Sequence, residues 1–351
     1  MIHRFRRTLS GLSAALALVA APLGAQTVRG VLVDEAARPV PGALVVLVDS
    51  GGVGSGGAVT DAQGRFTLAA AAAGRYNVRA ERTGYRTAEA GVELAAGQTV
   101  EVRLTTGVRA FVLPTVDVVG QSRCTVRPGR GMAAYALWDE ARKALASTAV
   151  LQDAERVRYT VRTYRRHISF GGRTRRRNDD PRRVTGRPFQ TLAPAELASG
   201  GYVRTEADSA VFYGPDAHVL LSDEFLDTHC LYVDERQADR RTVALAFEPV
   251  RRDGIADIRG VLRLGRATGE LQSVEYEYTE APGATGSSRA RGSVEFERLQ
   301  NGAWVITRWH IRTTNFSRGT LWSDRGRQTE RITDIYESGG EVTQVERMPE
   351  G

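Results

Sequence analysis

The chain has 351 residues, 42% of them hydrophobic and 25% charged, an ordinary globular composition that excludes a disordered or collagen-like polymer. The formal charge of +7 overstates the basicity of the folded part, because Arg4, Arg6 and Arg7 stand at the N-terminus and residues 26–122 carry nine Arg and nine acids, leaving +4 for the C-terminal part. Lys143 is the only lysine, so the arginine bias reads as the habit of a GC-rich genome rather than as phosphate binding, and two cysteines exclude a disulfide-dense scaffold.

The first 25 residues read as an export signal. The three arginines are followed by an apolar run from Leu9 to Ala21 and a small-residue exit at Leu23-Gly24-Ala25. The run is shorter than the ~20 apolar residues that span a bilayer. No later segment is long and apolar enough for a membrane helix. The remaining length fits two domains.

From Thr27 the grammar is that of short strands and tight turns. Strands are expected at 27–34, 43–49, 64–69, 74–82, 91–94 and 98–105, broken by Asp34, Pro39, Pro41-Gly42 and Asp61 to Gly64. Alternation in Gly74-Arg-Tyr-Asn-Val-Arg-Ala80 places Tyr76, Val78 and Ala80 on one face. Gly52-Val-Gly-Ser-Gly-Gly57 matches a dinucleotide fingerprint in form only. A turn and a strand follow it, where a helix N-terminus should receive the pyrophosphate, so it reads as a flexible connection.

The pattern G-V-L-V-D … P-V-P-G-A-L-V-V-L, then V-T-D-A-Q-G-R-F-T-L … G-R-Y-N-V-R-A-E-R-T-G-Y, resembles the carboxypeptidase regulatory-like domain. The resemblance implies a small β-sandwich of the transthyretin-like or carbohydrate-binding-like class at 26–120. Phe111 to Val119 resembles the strand that closes such modules in outer-membrane receptors, but no plug or girdled barrel follows.

Residues 121–131 read as a linker. Met132 to Val150 is a helix candidate, with Leu137, Trp138, Ala141, Ala144 and Leu145 at helical spacing. Beyond it the chain alternates as strands near 156–168, 201–213, 242–250, 257–265, 270–279, 291–299, 303–313 and 328–337. Hairpins close across Ala267-Thr-Gly269 and Asn301-Gly302. A sheet with one apolar face and a helix against it is α+β. The series is similar to the curved antiparallel sheet of lipoprotein-carrier-like periplasmic proteins. The stretch from Asp216 to Cys230 resembles exported bacterial proteins that join a regulatory-like module to an uncharacterised C-terminal domain. The expected fold is therefore mainly β: an N-terminal antiparallel β-sandwich and, at 132–351, an α+β domain with a curved antiparallel sheet and a packed helix.

Candidate chemistry is sparse. No acid lies three residues after His167, His218, His229 or His310, and no His-Glu-x-x-His occurs, so zinc-peptidase spacing is missing. His218, Asp223, Asp227 and His229 cluster in sequence, but a surface helix capped by Ser222 explains the acids without metal. No Gly-x-Ser-x-Gly is present. In an exported chain Cys124 and Cys230 are expected to form one disulfide, the alternative being two buried thiols. The arginine run from Arg162 to Arg187 reads as a solvated loop, with an anion site as the alternative. Tyr76 and Tyr85 on the sandwich, and Trp304 and Trp309 on the later sheet, are candidate ligand-stacking aromatics. Trp304 and Ile306 should share one face and Trp309 the other.

These readings predict a non-catalytic, exported protein of the periplasm or outer membrane, with a binding or scaffolding role and no cofactor. Its partner would be an envelope protein, a glycan or a lipid, with peripheral association to the outer membrane; export disfavours nucleic acid. The alternatives are carbohydrate binding by the sandwich and a hydrolase assembled from scattered acids such as Asp223 and Asp227.

Overall fold

A computed structural model describes residues 26–111, 132–169, 173–189, 191–206, 209–250, 254–279, 290–320 and 328–348. The expected export signal, the linker at 121–131 and Cys124 lie outside them.

Strands β1 (Gln26–Asp34), β2 (Leu44–Asp49), β3 (Gly54–Val59), β4 (Arg65–Ala70), β5 (Gly74–Glu81), β6 (Ala88–Leu94) and β7 (Thr99–Thr106) form two sheets, ordered β4-β1-β7 and β3-β2-β5-β6. Strict alternation builds their shared core. Along β4, Phe66, Leu68 and Ala70 turn inward while Arg65, Thr67 and Ala69 face solvent. They meet Val28, Leu32, Val45, Leu47 and Val78. Two turns use the same device. Asp34 accepts the backbone N–H groups of Ala36 and Arg38 at 2.9 and 2.8 Å, and Asp61 those of Gln63 and Arg65 at 2.9 and 2.8 Å.

Two details depart from the sequence reading. β1 runs parallel to β7, so the sandwich is not wholly antiparallel. Gly54–Val59 is not a flexible connection but an edge strand paired with β2. Its glycines carry no side chains to reveal a strand.

The second unit opens with helix α1 (Met132–Asp153), then β8 (Val157–Ser169), β9 (Thr174–Asn178) and β10 (Arg182–Thr185). Helix α2 (Pro194–Gly200), hairpin β11 (Val203–Glu206) and β12 (Ser209–Phe212), and helices α3 (Ala217–Leu221) and α4 (Asp223–Thr228) come next. Seven strands complete it: β13 (His229–Val233), β14 (Thr242–Pro249), β15 (Ile258–Gly265), β16 (Leu271–Tyr278), β17 (Arg291–Arg298), β18 (Trp304–Thr320) and β19 (Gln328–Arg347). A 10-stranded sheet runs β10-β8-β19-β18-β17-β16-β15-β14-β13, with β9 also paired to β8.

Helix α1 lays Leu137, Ala141, Ala144 and Leu145 on Leu245, Leu262, Val274 and Val294 of the sheet. Asp216 caps α3 by accepting from Val219 N at 2.9 Å, and Ser222 caps α4 by accepting from Phe225 N at 3.2 Å. The expected hairpin turns are present, with Gly269 at φ 69° and Gly302 at φ 82°. Residues 201–213 are a hairpin rather than one strand, and the arginine run forms β9 and β10 rather than a loop. Trp309 lies on the same face as Trp304 and Ile306. A register shift between Glu295 and Phe296 leaves Thr307 unpaired and reverses the alternation.

The two units meet in a joint. Val59 of the sandwich packs with Leu151, Tyr159, Ala303 and Val305. The buried Glu81 carboxylate holds Arg79 at 2.7 Å and Arg142 at 2.8 Å. The Pro41-Gly42 turn lies back to back with Gly302, and a Cβ on either glycine would run into the other turn's backbone. Gly302→Ala should therefore cost about 1–3 kcal/mol, combining left-handed strain with that collision. Gly52→Ala is the control, since Gly52 has φ +81° and open space around it. Equal losses in urea unfolding of the two variants would show that the turn contact contributes nothing.

Candidate ligand-binding groove

β8 is longer than the helical layer that covers it. Its inward residues Val157, Tyr159 and Val161 are buried in the joint. Farther along the same face come Arg165 and His167. β9 lies antiparallel to this end, and its register sets Arg165 opposite Arg177, Arg166 opposite Arg176 and His167 opposite Arg175. Directly opposed like charges destabilise a strand pair by a few tenths to about 1 kcal/mol. Two consecutive Arg–Arg pairs, with Arg175 next to them opposite His167, are therefore a local conflict.

On one face the conflict is resolved. Arg176 lies over the Tyr164 ring at 4.3 Å and donates to Asn178 at 2.8 Å and Glu341 at 3.1 Å. Arg166 is 3.9 Å from Glu337. Glu337 accepts from Arg312 at 3.0 and 2.7 Å and from the Tyr164 hydroxyl at 3.2 Å. Burial raises the Glu337 carboxyl, but the Arg312 guanidinium outweighs it and holds the group below its ordinary value. Burial, then the Glu337 carboxylate, push Tyr164 up to about 12, so its hydroxyl stays a donor.

On the other face it is not resolved. His167 Nε2 is 2.7 Å from Asp334 Oδ1 and its ring stacks on Tyr336 at 4.7 Å. Among the described residues Arg165, Arg175 and Arg177 make no ion pair. They line a groove of about 630 Å³ whose apolar parts include Phe212, Ile311 and the exposed Tyr336. A chamber of about 270 Å³ adjoins it, lined by Phe189, Phe212, Tyr213, Trp309 and Ile311. Arg165, Phe212, Ile311 and Ser338 line both spaces. Phe189 and Trp309 are 5.2 Å apart, and Phe212 meets Tyr278 edge-on at 5.1 Å.

A larger concavity, about 1020 Å³, lies on the opposite face of the sheet. On that face three cations are neutralised across strands, Arg259 by Glu277 at 2.5 Å, Arg263 by Glu275 at 2.6 Å and Arg308 by Glu295 at 3.8 Å, while Arg291 makes no ion pair among the described residues. Ser293 Oγ is 3.0 Å from His310 Nδ1, and burial lowers the His310 pKa. Among the described residues no carboxylate bonds the other His310 ring nitrogen.

Of the four aromatics singled out from sequence, only Trp309 reaches the groove's chamber. Trp304 is buried in the core. Tyr76 donates to Ala72 O at 2.9 Å, and Tyr85 lies under Arg82 at 4.6 Å, both on the sandwich. Cys230 is buried on β13. The His218, Asp223, Asp227 and His229 cluster does not converge. Asp223 and Asp227 are exposed on α4, His218 bonds Asp153 at 2.9 Å, and His229 is buried 3.2 Å from Asp257. Sequence reading missed the register of Arg165 with Arg177, and with it Phe189, Phe212 and Tyr336. The only signal was the recurrence of cations at alternate positions on both sides of Gly171-Gly172.

Residues 27–107 match the family model of the carboxypeptidase regulatory-like domain. No curated protein matches the chain. Among solved structures, a shaft pilin of Lactobacillus rhamnosus GG is 12% identical over 43% of this chain and 61% of its own, with a TM-score of 0.21. A streptococcal ancillary pilin is 14% identical over 56% and 60%, with a TM-score of 0.22. The TIE protein of Bacillus anthracis is 10% identical over 76% and 47%, with a TM-score of 0.22. The chain thus spans about three fifths of the two pilins. Likeness at this level assigns neither fold nor role. Among the described residues no helix is long and apolar enough to cross a membrane.

Glu337→Gln tests the neutralised face. A depressed carboxyl contributes stability that is present above its ordinary value of 4.5 and lost as pH falls through its folded value. The variant should be less stable at pH 7 by about 1–3 kcal/mol. The gap to the parent should be nearly unchanged in urea unfolding at pH 5 and shrink at pH 3. A gap independent of pH would count against the ion pair.

Proposed function

We propose that this chain is a non-catalytic binding protein of the bacterial cell envelope that holds an anionic ligand in the groove between β8, β9 and β19. The observation that carries this reading is the Arg165–Arg177 pair beside Arg175, which has no carboxylate partner among the described residues. Such clustering opposes folding, and a bound anion would relieve it. The sandwich, fixed to the second unit by the joint, serves as a mount. The signal-like start at Arg4 to Ala25 supports export.

Isothermal titration with inorganic pyrophosphate tests the reading. The parent protein should bind it, and Arg165→Gln or Arg177→Gln should weaken binding at least about tenfold, as loss of a charge-assisted contact does. Without anion the same variants should be more stable than the parent by about 0.5 kcal/mol, because a repulsion has been removed. Variants that bind equally well and gain no stability would refute it.

Cys124 and Cys230 are proposed to form a disulfide, supported by export and by the burial of Cys230. Closing so long a loop would stabilise the fold by about 4–5 kcal/mol in the chain-entropy picture. Intact mass after alkylation should show both thiols blocked until reduction. Labelling of either without reductant would exclude the bond.

A further inference from the structure

The groove does not end at its cationic mouth. Ser338 on β19 lies in register with Arg165 of β8 on one side and Ile311 of β18 on the other. It therefore sits where the charged groove meets the aromatic chamber, and it lines both. Apart from Arg165 at the junction, two polar groups lining the chamber are already engaged. Asp179 accepts from Thr163 at 2.6 Å, and the Tyr213 carbonyl accepts from the Tyr278 hydroxyl at 2.8 Å. What the chamber offers a ligand is ring and aliphatic surface from Phe189, Phe212, Trp309 and Ile311. The mouth offers guanidiniums, which match the geometry of phosphate oxygens. One end of the continuous space thus prefers an anion and the other an apolar chain.

We infer that the ligand is an amphiphile with a phosphate head held by Arg165, Arg175 and Arg177 and an alkyl tail that passes Ser338 into the Phe189–Trp309 chamber. The inference rests on the anion-binding reading above and adds the tail. A bare phosphate compound would fill only the mouth. A neutral lipid would leave the three guanidiniums unpaired.

Titration of the full chain with three monomeric probes separates the parts: glycerol 3-phosphate, dihexanoyl phosphatidic acid and dihexanoyl phosphatidylcholine. The phosphatidic acid should bind at least about tenfold more tightly than glycerol 3-phosphate, a gain that burial of about two methylenes would supply. It should also outbind the zwitterionic lipid. Ser338→Phe, which plugs the passage from an exposed position, should cut the tail's advantage, taken as the ratio of the two phosphate affinities in that variant, to less than about twofold. Phe212→Ala should reduce the same advantage without the bulk of a plug, so a folding defect in one variant leaves the other to decide. Equal binding of the two phosphates by the parent would overturn the tail and leave the anion site standing. Equal binding of the two lipids would overturn the phosphate head. Binding of none would sink this inference and the functional reading together. An advantage that survives both substitutions would place the tail elsewhere and overturn the inference.

Discussion

The second unit depends on the match, and the mismatch, between one helical layer and one broad sheet. Leu137, Ala141, Ala144 and Leu145 of α1 are wholly buried against β13–β18. Each buried leucine contributes about 1.5–3 kcal/mol relative to exposure. The layer that makes this contact is a single long helix and three short ones. It leaves the far end of β8 and β19 without a helical cover, and only β12 stands near it through Phe212. Strands there still present an inward face, but water reaches it, so its composition is free to change from apolar to charged. Val161 and Arg165 share a face on β8 and differ only in whether anything packs over them.

The charge pattern on the two faces of this sheet argues for selection of position rather than of composition. Across the broad concavity Arg259, Arg263 and Arg308 each have a carboxylate on a neighbouring strand. Behind the groove Arg312 has one as well. A general taste for arginine would scatter unmatched cations over both faces. Single unmatched arginines such as Arg291 occur on the other face among the described residues, but Arg165, Arg175 and Arg177 gather three on one face at the uncovered end. Edge protection accounts for part of this, because charged edge strands resist pairing with other chains and β9 is exposed along its whole length. It does not account for Arg165, which sits on β8 between β19 and β9, within the sheet.

What could be read beforehand follows from how local the cause is. The sandwich strands and the two hairpins of the large sheet were legible because their turns need residues at positive φ, and Gly64, Gly269 and Gly302 mark them. The cap at Ser222 was legible for the same reason, since an N-cap acts within three residues. β3 was hidden by its glycines and β9 by arginine at consecutive positions, which removes the apolar alternation that signals a strand. The parallel pairing of β1 with β7 joins residues far apart in the chain and left no local trace.

The same distinction explains the fate of Trp309. Alternation is a sound rule only within an unbroken register, and a single extra residue inverts it. In the large sheet register shifts fall at Arg263/Leu264, Glu295/Phe296, Asn315/Phe316 and Val342/Gln344, the last three on the strands that carry the groove and the sheet beside it. The shift at Glu295/Phe296 turns Trp309 from the polar concavity towards Phe189. Without that shift the indole would lie among the paired charges around His310, and the chamber would lose its largest wall. One irregularity of the backbone therefore turns Trp309 into the aromatic lining beside the arginine mouth.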